Sequence, residues 1–391
     1  MSFILSVFKN LRTTYSSWDS LKAHFTSQGL QIKEETDSNF AIVYYRHGSD
    51  VSEDTKWFRS VVWDKVSHIP VSISTARAAA DDALMWSTDK FEGNTITEYL
   101  DGVTLNLFRG GGNSSDVIVS SRTRLGAGVG FYNKTSFQQM LADAVKEAGF
   151  DSVSEFYEKH TTESTAFLTV LVQHPEHRIV EKVDKARVYI LQRGSIKDDG
   201  DAVIELYPSN ELMPKKYEAA SSPAISEWFE SLVNANTWSW RGVCISNGHG
   251  NRWRIHSTVY KMIRSLRGNT SRADERFFTL RAAGMVKTYL QYYPEESNLF
   301  WKYEKWTRAA TKLLYGYYVA VYKSHELTLD GVDARWHTHL GAIHHMYMGQ
   351  LKPSGNGVHM SHVVAYMNAL PTPRLLFLMN LDKRNKAGAS V

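Results

Sequence analysis

Residues 96–108 read ITEYLDGVTLNLF. The run opens extended, turns at Asp101-Gly102 and continues extended, with β-branched and aromatic residues on both sides of the corner. That pattern predicts two strands meeting at an Asp-Gly turn. A lone Asp-Gly pair is a turn far more often than a site, so its neighbours have to decide what this corner does.

Working outward, residues 40–107 keep the same character. FAIVYYRHG, FRSVVWD, IPVSIST and TITEYL are short, β-rich and separated by turn residues, whereas ARAAADDALM (76–85) reads as a helical insert. RGGGNSSD (109–116) reads as the loop of a hairpin between TLNLF and VIVSS. KTSFQQMLADAVKEAGF and SVSEFYEKH have helical spacing, AFLTVLVQ, RVYILQRG and AVIELYP return to strand, and SSPAISEWFESLVN precedes the strands RGVCISN and RWRIHS. The first 35 residues or so read as helix, with SWDSLKAHFTSQGL capped at its start and stopped at Gly29. Beyond RGNTSRAD the strand signals vanish and long aromatic helices take over. The expected organisation is an N-terminal helical segment at 1–39, an α+β domain with antiparallel sheets around a cleft at 40–268, and an all-helical domain at 274–391.

Composition narrows the classes. The chain has 391 residues, 43% apolar and 22% charged, which suits a globular protein rather than a disordered one. Eleven Trp and twenty Tyr supply large cores and surfaces on which bases or partners can stack. The formal charge is +4, and the excess is concentrated: residues 252–272 hold Arg252, Arg254, Lys261, Arg264, Arg267 and Arg272 without an acid. Such a stretch is a candidate RNA-backbone contact, and equally a solvated face on a strand and the helix after it. The single cysteine, Cys244, excludes an intrachain disulfide and points to a reducing, cytoplasmic compartment. No run of about 18 apolar residues occurs, so no membrane span is expected.

Six short stretches then fall in order: FRSVVWD (58–64), DKFEGN (89–94), EYLDGVTLNLF (98–108), VLVQHPEHRIV (170–180), RGVCI (241–245) and RWRIHSTVY (252–260). As an ordered set they resemble the phage tRNA-repair RNA ligases, a branch of the covalent nucleotidyltransferase superfamily. That family reads RG-hydrophobic-hydrophobic-F, EKFFN, KxDGS, a Glu-bearing strand followed by PxNRIV, then EGxV and KIKS…Y. The resemblance covers residues 40–268 and implies the nucleotidyltransferase fold of ligases. It also implies a chemistry in which a lysine amine attacks the α-phosphate of ATP, one carboxylate holds the ribose, another supports a metal, and two lysines neutralise phosphate charge.

At the matching positions this chain departs from the family. Tyr99 stands at the nucleophile, Leu171 at the ribose carboxylate, Arg241 at the EGxV glutamate, and Arg254 and His256 at the two lysines. Arg59, Lys90, Asp101 and Gly102 stand as the family has them, and Arg122 or Arg124 of SSRTRLG is a further candidate for the basic pocket. A phenol with an ordinary pKa of about 10 is a poor nucleophile at neutral pH. The resemblance therefore implies a catalytically inactive relative that retains a basic cleft for ATP, another nucleotide, RNA or another polyanion, with no magnesium site, acting as an RNA-binding or assembly protein. Two alternatives stay open. One is altered nucleotidyl chemistry using Tyr99 or His256 with Asp101, and the other is a purely structural protein whose cleft is filled by side chains. Phages and large viruses carry ligases of this kind, so the resemblance also implies a viral, virion-associated setting.

Other patterns are weaker. His337, His339, His344, His345, His359 and His362 lack a metal-binding spacing on one helical face and read as packed histidines. Phe300, Tyr303, Trp306 and Ala310 have core spacing, while Tyr315, Tyr317, Tyr318 and Tyr322 cover more than one face and leave aromatic surface for a protein partner.

Overall fold

A computed structural model describes residues 2–35, 38–46, 48–80, 91–110, 116–132, 135–161, 166–208, 211–218 and 225–388. The chain divides into two compact units, Met1–Arg264 and Ser265–Val391.

The first unit is built on three sheets among the described residues. A six-stranded sheet runs β1 (Ser2–Leu5), β11 (Ala202–Leu206), β10 (Arg187–Ile196), β9 (Ala166–Gln173), β7 (Val103–Arg109), β8 (Val117–Ser120). A four-stranded sheet runs β12 (Lys216–Tyr217), β6 (Thr95–Glu98), β13 (Gly242–Ser246), β14 (Arg252–His256), and a second runs β2 (Leu30–Glu34), β3 (Phe40–Tyr45), β4 (Val61–Asp64), β5 (Ile69–Ile73). Every pairing between these strands is antiparallel. The class is the expected one: antiparallel sheets around a cleft, followed by helices.

Burial explains the strand pattern. All eight residues of β9 are buried, so its AFLTVLVQ text is a continuous run rather than an alternation. Helices α3 (Phe137–Glu147) and α4 (Val153–His160) cover one face of its sheet, placing Met140, Leu141, Val145 and Phe156 against Leu168, Val170 and Val172. Each helix starts at a serine that accepts an N–H three residues on, Ser136 from Gln139 and Ser152 from Glu155. On the four-stranded sheet, α5 (Ile225–Ala235) packs Ile225 and Phe229 onto Val243 and Ile255. A separate core joins α1 (Val7–Thr14) and α2 (Trp18–Ser27) to β3 and β4 through Phe8, Phe25 and Trp63, with ring centroids 5.2–5.8 Å apart. Within α2, Ser17 and Ser20 form a reciprocal capping box, and Gly29 follows the helix at φ +73°.

Two local expectations are corrected. The N-terminal segment is not wholly helical: Ser2–Leu5 pairs with β11 and Leu30–Glu34 with β3. Nor do the described residues at the start of ARAAADDALM form a helix. The Ala79 N–H donates to the Arg252 carbonyl at 2.9 Å, and the Ala79 carbonyl accepts from the Arg254 N–H at 3.1 Å, so strand pairing overrides the helical propensity of alanine. Residues 81–85 of that stretch, and 111–115 of the β7–β8 loop, lie outside the described residues.

The second unit is helical among its described residues. Helix α6 (Thr258–Arg267) runs through the division, followed by α7 (Ala273–Ala282), α8 (Val286–Tyr292), α9 (Ser297–Tyr322), α10 (His337–Met346), α11 (Met360–Ala369) and α12 (Thr372–Gly388). Phe300 and Ala310 are buried along α9, as their spacing predicts, and Phe277 packs edge-on to Phe300 at 5.3 Å. Beneath them lies a buried charged knot: Arg267 and Arg276 both reach Glu296 (2.5 and 2.8 Å), which also accepts from the Tyr289 hydroxyl at 3.0 Å. Much of the tyrosine excess is packed, with Tyr318 buried and Tyr322 stacked on His344 at 4.1 Å, while Trp301 is 62% exposed. No described helix is long and apolar enough to cross a membrane.

Candidate functional site: a basic cleft where three sheets meet

The stretch 96–108 is not a hairpin. Its first strand, β6, belongs to a four-stranded sheet, and its second, β7, to the six-stranded sheet. Residues 99–102 carry the chain from one to the other. Gly102 is needed there: at φ +149°, a Cβ would lie 2.5 Å from the Val172 carbonyl and 2.7 Å from the Leu171 side chain. A cavity of about 390 Å³ opens beside this crossing.

Arginines from all three sheets face it: Arg59 just before β4, Arg77 after β5, Arg122 after β8, Arg241, Arg252 and Arg254 around β13 and β14, and Arg264 on α6. Among the described residues these seven meet two lining acids, Glu98 and Asp101. Tyr45, Tyr99, Tyr207 and Tyr260 complete the polar wall, with Leu171 and Leu191 on the apolar side. No described lysine lines the cavity. Lys90 lies outside the described residues.

Tyr99 is fixed by its neighbours. Its N–H donates to the Gly242 carbonyl at 2.9 Å, and the Arg241 guanidinium lies 3.8 Å from its ring centroid. No described residue hydrogen-bonds its hydroxyl. Burial alone would raise the phenol pKa, but Arg241 and Arg254 outweigh it and hold the pKa below the usual value. The ordinary phenol expected from the sequence is therefore corrected, because two cations that local sequence does not place together converge on it.

Asp101 is structural in its contacts. One oxygen accepts the Val180 and Glu181 N–H groups (3.0 and 3.3 Å), and the other accepts the Tyr260 hydroxyl. Arg241 donates to the Leu100 carbonyl at 2.8 Å and lies 3.7 Å from Asp101. Asp101 thus ties the 99–102 crossing to the PEHRIV loop and to α6. His256 does not line the cavity. At the end of β14 its Nε2 accepts from Arg241 Nε at 3.4 Å, and its ring stacks on Tyr260 at 5.8 Å with planes 3° apart. It supports Arg241 instead of facing the cavity.

Four of the other arginines donate to neutral groups. Arg252 donates to the Ala76 carbonyl (3.2 Å) and the Tyr207 hydroxyl (2.9 Å), Arg122 to the Tyr45 carbonyl (2.5 Å), and Arg77 to the Ser49 carbonyl (2.6 Å). Among the described residues Arg59 reaches only the hydroxyls of Thr75 and Thr104. Arg254 has no side-chain hydrogen bond or ion pair to a described residue. The Nε–H groups of Arg122, Arg252 and Arg254 are buried without a hydrogen-bond partner among the described residues. Burial, reinforced by Arg252 and Arg122, pushes the Arg59 pKa below its usual value. Among the described residues, side chains therefore neither fill the cavity nor neutralise it.

These residues suit an anion and not a divalent cation. Both Asp101 oxygens are occupied by donors. Burial, with Glu181 nearby, raises the pKa of Glu98. Among the described residues no three His, Cys, Asp or Glu side chains converge closely enough to hold a metal.

Sequence reasoning singled out Arg59, Arg241 and Arg254, with Arg122 or Arg124 as further candidates, of which Arg122 lines the cavity and Arg124 does not; it missed Arg77 and Glu98 as cleft residues and assigned Arg252 only to a basic stretch. The stretch 252–272 is not one face: Arg252 and Arg254 line the cavity, whereas Arg267 pairs with Glu296 and Arg272 with Asp274.

No protein-family model and no curated protein sequence matches the chain. Among solved structures, it is similar to an archaeal ATP-dependent RNA ligase (form 1) at 12% identity and TM-score 0.39, covering 72% of this chain and 70% of that one. It is also similar to a putative ATP-dependent DNA ligase from Aquifex aeolicus at 10% identity and TM-score 0.39, covering 74% and 72%. A second form of the archaeal RNA ligase aligns at 9% identity and TM-score 0.38, covering 70% of this chain and 68% of that one.

Proposed function

We propose that the protein is a non-ligating relative of the RNA ligases that binds a nucleotide or RNA phosphate in the 99–102 cleft without forming a covalent adduct. One observation carries this reading. Arg59 and Arg254 face the cavity with no described carboxylate partner, while Tyr99, clamped under Arg241, stands where the resemblance requires a lysine amine. Arginine forks match phosphate oxygens, and buried N–H groups without partners favour an anion that accepts from them. Leu171 offers no acceptor for a ribose hydroxyl. Incubation with α-labelled ATP and magnesium followed by denaturing electrophoresis tests the chemistry, and equilibrium dialysis with the same label tests the binding. The expected result is retained ATP without a stable adduct; a covalent AMP-protein band ends the reading.

The acidified, unbonded Tyr99 hydroxyl favours one competing reading, in which the phenolate is itself the nucleophile. It predicts an adduct that Tyr99→Phe abolishes.

A further inference from the structure

Resting on the cleft reading above, we infer that the ligand is a metal-free linear polyphosphate chain, inorganic or the tail of a nucleoside triphosphate, recognised through its phosphates and not its base. The argument begins with charge. Arg59, Arg77, Arg122, Arg252 and Arg254 all line the cavity, and none meets a described carboxylate at ion-pair distance. Like charges gathered this closely repel, and the low dielectric of a partly buried site amplifies the repulsion. A ligand that stabilises this arrangement must bring several negative charges into one small volume.

Geometry then selects among phosphates. The guanidiniums arrive from three sheets, so they surround the cavity instead of forming a flat patch. Together they present more N–H donors than the oxygens of one phosphate can accept, even after the carbonyls of Ser49, Tyr45 and Ala76 take their share. An RNA backbone brings a single charge per nucleotide, and a cavity of about 390 Å³ admits little of it. A run of linked phosphates concentrates its charge within that space.

The described acids point in the same direction. Asp101 spends its oxygens on two backbone N–H groups and Tyr260, and among the described residues no second free carboxylate stands beside Glu98 in the cavity wall. A magnesium ion arriving on the ligand finds no oxygen set among the described acids, meets the arginines as a like charge, and withdraws ligand charge from them. Magnesium therefore competes for the ligand.

Calorimetry on the full chain tests this with tripolyphosphate, ATP, AMP and a short RNA oligonucleotide, each in EDTA and in excess magnesium. In EDTA, tripolyphosphate and ATP bind and AMP binds about tenfold or more weakly; excess magnesium weakens the first two by a similar factor, as removal of ligand charge from a basic cleft requires. Equal affinities for tripolyphosphate and ATP make the phosphate chain sufficient and uphold the inference, whereas ATP binding about tenfold or more tightly than tripolyphosphate assigns the grip to the nucleoside and overturns it. Arg254→Gln and Arg59→Gln lose binding while retaining the wild-type circular dichroism. Magnesium-ATP binding more tightly than free ATP, AMP binding as well as ATP, or RNA binding without tripolyphosphate overturns the inference and leaves nucleotide or RNA-phosphate binding standing. Failure of every anion to bind removes both.

Discussion

The Arg241 guanidinium lies 3.8 Å from the centroid of the Tyr99 ring and also bonds the carbonyl of Leu100, the next residue along. One side chain thus sets both the electrostatics of the phenol and the path of the backbone that carries it. A cation over an aromatic face is worth about 0.5–2 kcal/mol, more where water is excluded. Here it also stabilises the phenolate.

Tyr99 should therefore ionise before the other tyrosines. Its folded pKa is depressed, so its ionisation adds stability above the unfolded value of 10.0, and that contribution disappears as pH falls through the folded value. An ultraviolet titration should show an early-ionising tyrosine that is absent in Tyr99→Phe and shifted upward in Arg241→Gln. Unchanged titration in Arg241→Gln would assign the shift elsewhere.

The crowded arginines should cost stability in the free protein. Replacing Arg59 with Gln removes a cation whose charged form burial and the Arg252 and Arg122 guanidiniums disfavour, and leaves a polar side chain near Thr75 and Thr104. Urea denaturation of the variant should show a gain on the order of 1 kcal/mol, the size left for a partly buried and partly screened charge. A loss would mean that the arginine is structural.

Gly242→Ala should be severe. A Cβ there would lie 1.9 Å from the Ile255 carbonyl across the β13–β14 pair, and the residue sits at φ +130°. Neither strand can move without dislodging Arg241 or Arg254. The cost should exceed about 4 kcal/mol, at the exceptional end for a point change, and will be read as a lowered denaturant midpoint or loss of soluble protein.

Glu296 should set the acid limit of the second unit. Burial would raise its pKa, but Arg267 and Arg276 outweigh burial and lower it from 4.5. A depressed folded pKa means that its stabilisation is present above the unfolded value and fades as pH falls through the folded one. Glu296→Ala, which strands two buried guanidiniums, should cost about 3–5 kcal/mol at pH 7 and much less in acid. A pH-independent penalty would contradict the network.

Much of the first unit was legible because its strands are locally written. β9 is apolar throughout, β3 and β4 are β-branched, and the α2 helix carries its own cap and stop. β1 was hidden because SFIL is short and its partner, β11, lies some 200 residues away in sequence. Ala79 was hidden for the same reason: its alanine-rich neighbourhood speaks for helix, and only the edge of β14 overrules it. The corner at Asp101-Gly102 could be seen as a turn, but its passage between two sheets could not, since β6 and β7 each pair with strands far along the chain. Arg77 sits in unremarkable local text, Arg252 was visible only as part of a basic stretch, and convergence is a property of the sheets that bear them.

That passage also has a mechanical meaning. At this point two walls of the cleft are joined by a covalent seam four residues long, which carries Tyr99, Asp101 and the carbonyl that steadies Arg241; the passage from β11 to β12 joins the same two sheets. Rocking of one sheet against the other is resisted in part as torsion within those four peptides, where Gly102 is the member without a Cβ. Grip on a ligand and the angle between the sheets are consequently coupled through this seam.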